Sequence, residues 1–117
     1  MSNSDVVKVL EAARALLTHT GWTRSAMARD ADGKSCLPTS EKAVCFCALG
    51  AIEHAAFEAT QKHSSTAFWK ARRVFGDVVF QTTQEVAMAF NDRPQTSVVE
   101  ICRLFDVAIQ AAAEIFG

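Results

Sequence analysis

Apolar residues recur three and four positions apart in five stretches of the chain, and each stretch reads as an amphipathic helix. Val6, Leu10, Ala13, Leu16 and Leu17 mark the first, over about residues 5–19. Ser4 stands before it as an N-cap, and Gly21 follows as a left-handed C-cap. Pro38-Thr39-Ser40-Glu41 opens the second, which runs to about Ala59 and is almost wholly apolar between Ala43 and Phe57. A helix with so little polar face belongs at the centre of a bundle. The third starts near Ser65 and carries Phe68, Ala71, Val74 and Phe75 toward Val79. Two capping boxes follow, Thr82-x-x-Glu85 and Ser97-x-x-Glu100. They predict a short fourth helix over 83–90 and a fifth that buries Ile101, Cys102, Phe105, Ala108, Ile109, Ala112 and Phe116.

Helical periodicity fails over residues 22–38. Asp32-Gly33 is a turn signal there, and it can join Ala26-Met27-Ala28 to Ser35-Cys36-Leu37 as a short hairpin. The pattern as a whole predicts an all-α fold: a compact bundle of about five helices, with a small β-hairpin between the first and second. It reads as a single helical domain over residues 1–117.

Composition agrees with a packed domain, since half of the 117 residues are hydrophobic and 21% are charged. The net charge of -1 is spread along the chain. Nucleic-acid binding calls for a basic stripe, and the nearest approach to one is Lys70, Arg72 and Arg73 on a single helix. That argues against a nucleic-acid partner. No apolar run nears the roughly 18 residues of a membrane span. Asp5, Lys8, Glu11 and Arg14 also interrupt any apolar leader. A cytoplasmic protein with free thiols and no membrane partner is the expectation.

Cys47 is the obvious nucleophile to weigh. On the helix predicted from residue 38 it lies well inside, with Ala43, Gly50, Ala51, His54 and Ala55 on its face. His54 is then about 10 Å away along the axis, too far to serve as a base. The simpler role is a small buried hydrophobe. Gly50 in mid-helix costs about 1 kcal/mol against alanine, which close approach of another helix backbone explains. Cys45 and Cys47 on one helix diverge by about 200° and cannot share a metal. No metal and no cofactor is expected, and no catalytic residue stands out.

Asn91-Asp92 before Pro94 suits a helix end, with Asn left-handed and Asp bonded to turn amides. An amide beside a carboxylate also suits a binding site. Trp22 anchors the long connection on the core, its N–H given to a carbonyl. Two readings of Trp69 stand side by side: an exposed aromatic beside Arg72 and Arg73 at a partner surface, or a widening of the buried face. The terminal Ala111-Ala112-Ala113-Glu114-Ile115-Phe116 fits either close packing in the monomer or a homodimer contact.

Gly21-Trp22, the Asp30-Ala31-Asp32-Gly33 turn, Cys47-Ala48-Leu49-Gly50-Ala51, Phe90-Asn91-Asp92 and the Thr96-Ser97 helix start occur in a fixed order. That order resembles a family of small bacterial and phage helical proteins of unknown function. The likeness runs over about residues 6–112. It implies one compact domain and marks Trp22, Cys47, Gly50, Asn91 and Asp92, while Cys36, Cys45, Cys102 and the three histidines fall outside its pattern.

The leading functional expectation is a small cytoplasmic interaction or accessory protein without catalysis. The alternative is a small-ligand or Cys-dependent pocket near Trp22, Cys47, Asn91 and Asp92, closed by the 22–38 connection. Candidate binding residues are therefore Trp22, Cys47, Trp69, Asn91 and Asp92.

Overall fold

A computed structural model describes residues 4–116. The elements in chain order are α1 (Ser4–His19), β1 (Ala28–Arg29), β2 (Cys45–Phe46), α2 (Ala48–Thr60), α3 (Thr66–Thr83), α4 (Ala87–Asp92) and α5 (Val98–Phe116). The fold is all-α, with five helices and a small antiparallel sheet placed between the first two.

Helical spacing puts Val6, Val9, Leu10, Ala13 and Leu17 of α1 into the core. There α1 packs on α2, α3 and α5. An ion pair of 2.7 Å between Arg14 and Asp106 fastens α1 to α5 at the surface. Phe75 of α3 stacks on Phe105 of α5 with ring centroids 4.3 Å apart, and both are fully buried. The N-cap expected at Ser4 falls on a side chain outside what the structure describes.

Of the two capping boxes only the second forms. Ser97 N donates to Glu100 Oε1 at 3.0 Å, and Glu100 N donates to Ser97 Oγ at 3.3 Å. The expected burial on α5 holds for Ile101, Cys102, Phe105, Ala108 and Ala112, with Leu104 added and Ile109 and Phe116 half-buried. At Thr82 no helix begins, because Val78 and Val79 keep α3 packed on the core for another turn. The helix ends instead on left-handed Gln84, φ 64°. Glu85 pairs with Arg93 at 2.7 Å, and α4 starts after Val86 with no side-chain cap.

The largest departure lies before α2, which starts at Ala48 and not near residue 38. Ser40 bends the chain into a turn, its Oγ accepting from Lys42 N at 3.1 Å. Residues 45–46 then run as β2 against β1, with Ala28 opposite Phe46 and Arg29 opposite Cys45. The Asp32-Gly33 turn does form: Asp30 Oδ1 accepts from the N–H groups of Asp32 and Lys34, and Gly33 is left-handed at φ 80°. Arg29 bridges to Ser35, and Cys36 N donates to Ala28 O at 3.0 Å. The short β1 thus has the expected hairpin arm on one side and the unforeseen β2 on the other.

Gly21 is no ordinary left-handed cap. Its φ is 156°, and a Cβ there would lie 3.0 Å from Val44 O and from Cys45 Cβ. Its carbonyl accepts from Phe46 N at 3.0 Å, so the glycine lets the chain leading into α2 press against the end of α1.

Candidate functional site

The three clusters Gly21-Trp22, Cys47–Ala51 and Phe90–Asp92 meet at one junction, where the β-containing connection, the start of α2 and α4 come together. Its hub is Asn91, which is 1% exposed. Asn91 Oδ1 accepts from Trp22 Nε1 at 2.8 Å and from Ala48 N at 3.0 Å. Its Nδ2 donates to Thr23 O at 3.1 Å and to Asp92 Oδ1 at 3.0 Å. All four hydrogen-bonding positions of the amide are used. One of them satisfies an orphan N–H in the first turn of α2. Asp92 Oδ1 also accepts from Ser25 N at 2.8 Å, holding left-handed Ser25 in place.

Asn91 itself is helical, within α4, so it does not supply the left-handed helix end expected of it. Trp22 finds its carbonyl partner in the side-chain amide of Asn91. Two arginines complete the junction. The Arg24 guanidinium stacks 4.5 Å over the Trp22 ring and donates to the carbonyls of Arg93, Pro94 and Thr96. Arg29 donates to Thr23 Oγ1, Gly33 O and Arg24 O. Neither was legible in the sequence, because carbonyls in irregular chain leave no pattern of residue types.

Residues 1–111 match the family of unknown function DUF6197. The chain belongs to that family. No curated protein and no solved structure matches it. The junction therefore has to be read from this DUF6197 chain's own chemistry.

Cys47 is the N-cap of α2, with φ -77° and ψ 173°. Cys47 therefore lies at the start of the helix and not inside it, and Cys45, on β2, shares no helix with it. The Cys47 Sγ accepts from Gly50 N at 3.3 Å and lies 3.6 Å from Met27 Sδ. A helix N-terminus ordinarily lowers a thiol pKa. Here burial dominates and pushes the Cys47 thiol up; the Gly50 and Leu49 amides pull it down less, and Asp92 adds to the rise. His54 gives it no help: its Nδ1 is 2.8 Å from Pro38 O, and its ring lies against Phe46. A cavity of about 180 Å³ opens over the thiol, lined by Ser25, Ala26, Met27, Cys47, Met88 and Asp92. No imidazole lines it; a thiol and a carboxylate do.

Gly50 answers to a different neighbour from the one expected. A Cβ there would come within 1.9 Å of Met27 O, so the strand connection, not another helix, rides over the first turn of α2. Cys36, Cys45 and Cys102 are free thiols. Among the described residues no three His, Cys, Asp or Glu side chains gather as metal ligands.

Trp69 stands apart from this junction, on α3, and is 52% exposed with the Arg72 guanidinium 5.6 Å over its ring. Next to it a groove of about 300 Å³ runs between α3 and α4, lined by Leu49, Arg72, Gly76, Val86, Ala87 and Met88. Met88 belongs to both the groove and the Cys47 cavity. Met27 reads in the sequence only as part of a hairpin arm, and Gly76 and Met88 carry no site signal of their own. The isolated Gly76 in an otherwise strong helix was the one signal that could have found the groove.

Proposed function

We propose that this DUF6197 protein is a non-catalytic interaction module of the cytoplasm that holds an amphipathic helix of a partner protein along α3 and α4. Gly76 carries the reading. A Cβ added there would meet nothing within 4 Å among the described residues, so no packing among them accounts for a glycine in mid-helix. Relative to alanine it costs about 1 kcal/mol. A floor without a side chain lets a partner backbone approach closely.

Around that floor Trp69, Arg72, Gly76 and Phe80 follow one another at three- and four-residue spacing along α3. Val86 and Met88 rise from the other side. Trp69, Phe80, Val86 and Met88 are 52%, 51%, 63% and 44% exposed, an unusual concentration of large apolar side chains at the surface. An aromatic anchor beside an arginine suits an interface hot spot. Arg72 calls for a carboxylate on the partner, flanking its apolar stripe. Four free cysteines support the cytoplasmic assignment. No described helix is long and apolar enough to cross a membrane.

The test is affinity capture with Trp69→Ala and Gly76→Gln beside the wild type, each checked for a thermal transition no lower than that of the wild type. A protein retained by the wild type and lost by both variants supports the module, and one retained equally by all three sinks it. Sedimentation of the purified chain separates a foreign partner from a second copy, for which exposed Ala113 and Ile115 on α5 are available.

A second reading keeps the Cys47 cavity as a small-ligand pocket, favoured by a cysteine and an aspartate in one lining. Trp22 and Asn91 do not line that cavity, and their side-chain polar atoms are engaged with each other and with the Ala48, Thr23 and Asp92 groups.

A further inference from the structure

We propose that the cavity over Cys47 is a site for a soft monovalent metal ion of the Cu(I) class, bound by the Cys47 thiolate with the thioethers of Met27 and Met88. The inference rests on the pocket reading and shares only Met88 with the α3–α4 groove.

The thiol of Cys47 points at Met27 Sδ, with 3.6 Å between the sulfurs. Two sulfurs sharing one ion in a three-sulfur site, with metal–sulfur bonds of about 2.3 Å at about 120°, lie about 4.0 Å apart. An ion can therefore replace the thiol proton with the two sulfurs moving apart by about 0.4 Å. Met88 of α4 lines the same cavity. The Cys–Met pair is held by the backbone as well as by side chains. Cys47 N donates to Met27 O at 3.1 Å, and that carbonyl is seated on Gly50. Gly50 N donates to Sγ from the other side, a bond that a thiolate accepts more strongly than a thiol.

Charge argues the same way. Burial and nearby Asp92 both penalise a bare thiolate in this cavity. A cation beside the sulfur cancels the first charge and is attracted by the second. Thiolate and thioether donors select soft ions, and hard divalent ions lack a comparable cluster among the described residues. The exchange is balanced and involves no electron transfer: the Cys47 S–H bond breaks, a sulfur–metal bond forms, and the proton leaves to solvent.

Ag(I), a redox-inert stand-in for Cu(I), is added to protein carrying 13C-labelled methionine methyl groups, in a Cys36→Ser, Cys45→Ser background that removes two competing thiols. One equivalent should shift the methyl signals of Met27 and Met88 and leave that of Met1 in place. Cys47→Ser should abolish both shifts. Met27→Leu, which keeps the thiol, should weaken anaerobic Cu(I) binding at least tenfold in competition with bathocuproine disulfonate. Unmoved Met27 and Met88 signals in the Cys47-containing protein overturn the proposal. So do shifts that persist in Cys47→Ser, or Cu(I) affinity indifferent to Met27→Leu.

Discussion

Gly50 stands in the first turn of α2 and Gly76 in the middle of α3, and replacing each by alanine should move stability in opposite directions. At Gly50 the new Cβ would stand 1.9 Å from Met27 O and 2.8 Å from Met27 C, both backbone atoms. To reach ordinary contact at 3.4 Å the carbonyl must retreat by about 1.5 Å. It is not free to do so. It accepts from Cys47 N at 3.1 Å, and the next residue, Ala28, is paired with Phe46. Overpacking of this kind costs about 1–3 kcal/mol. A buried N–H left without its acceptor adds about 1–3 kcal/mol. The helix preference of alanine returns about 1 kcal/mol. The net expectation for Gly50→Ala is a loss of about 1–5 kcal/mol, or a fall of roughly 4–20 °C in Tm at this chain length. At Gly76 nothing among the described residues lies within 4 Å, and only the helix preference remains. Gly76→Ala should therefore gain about 0.5–1 kcal/mol. Urea titrations followed by circular dichroism read both, provided m is unchanged. A neutral or stabilising Gly50→Ala, or a Gly76→Ala as damaging as Gly50→Ala, would refute the account of both glycines.

Asn91→Ala should cost about 3 kcal/mol, because it strands the Trp22 indole N–H and the Ala48 amide together; the change should also alter Trp22 fluorescence in the folded state, and a wild-type urea midpoint would count against the hub. Asp92→Ala removes the acceptor of Ser25 N and should cost about 1 kcal/mol by the same denaturation assay. Arg24→Ala frees three carbonyls and the face of Trp22, and faster hydrogen exchange over residues 93–97 is the expected sign. Burial raises the thiols of Cys47 and Cys102 above their ordinary value of 9.0. As pH climbs through about 9 the unfolded chain loses these protons first, so it binds fewer protons than the native state and stability falls. The urea midpoint should therefore drop between pH 8 and pH 10, and drop less in Cys47→Ser.

Period and capping chemistry carried most of the helical reading. Val6 to Leu17, Phe68 to Val79 and Ile101 to Ala112 each show a single apolar stripe, and Ser97-x-x-Glu100 caps as its spacing requires. Periodicity failed where an apolar run was equally compatible with a strand. Ala43 to Cys47 looked helical because it was apolar and continuous with α2, but in the fold Cys45-Phe46 pairs with Ala28-Arg29. Thr82-x-x-Glu85 failed because core packing of Val78 and Val79 outweighed a local cap.

The chain's own residue order determined how many helices form, which faces they bury and that a turn sits at Asp32-Gly33, since these follow from interactions between near neighbours. The tertiary structure alone decided that Cys47 begins a helix, that Met27 passes over Gly50, and that Trp22, Ala48 and Thr23 converge on Asn91. Such contacts join residues 20 to 69 positions apart, and no local pattern of residue types encodes which distant carbonyl, amide or sulfur will be brought alongside.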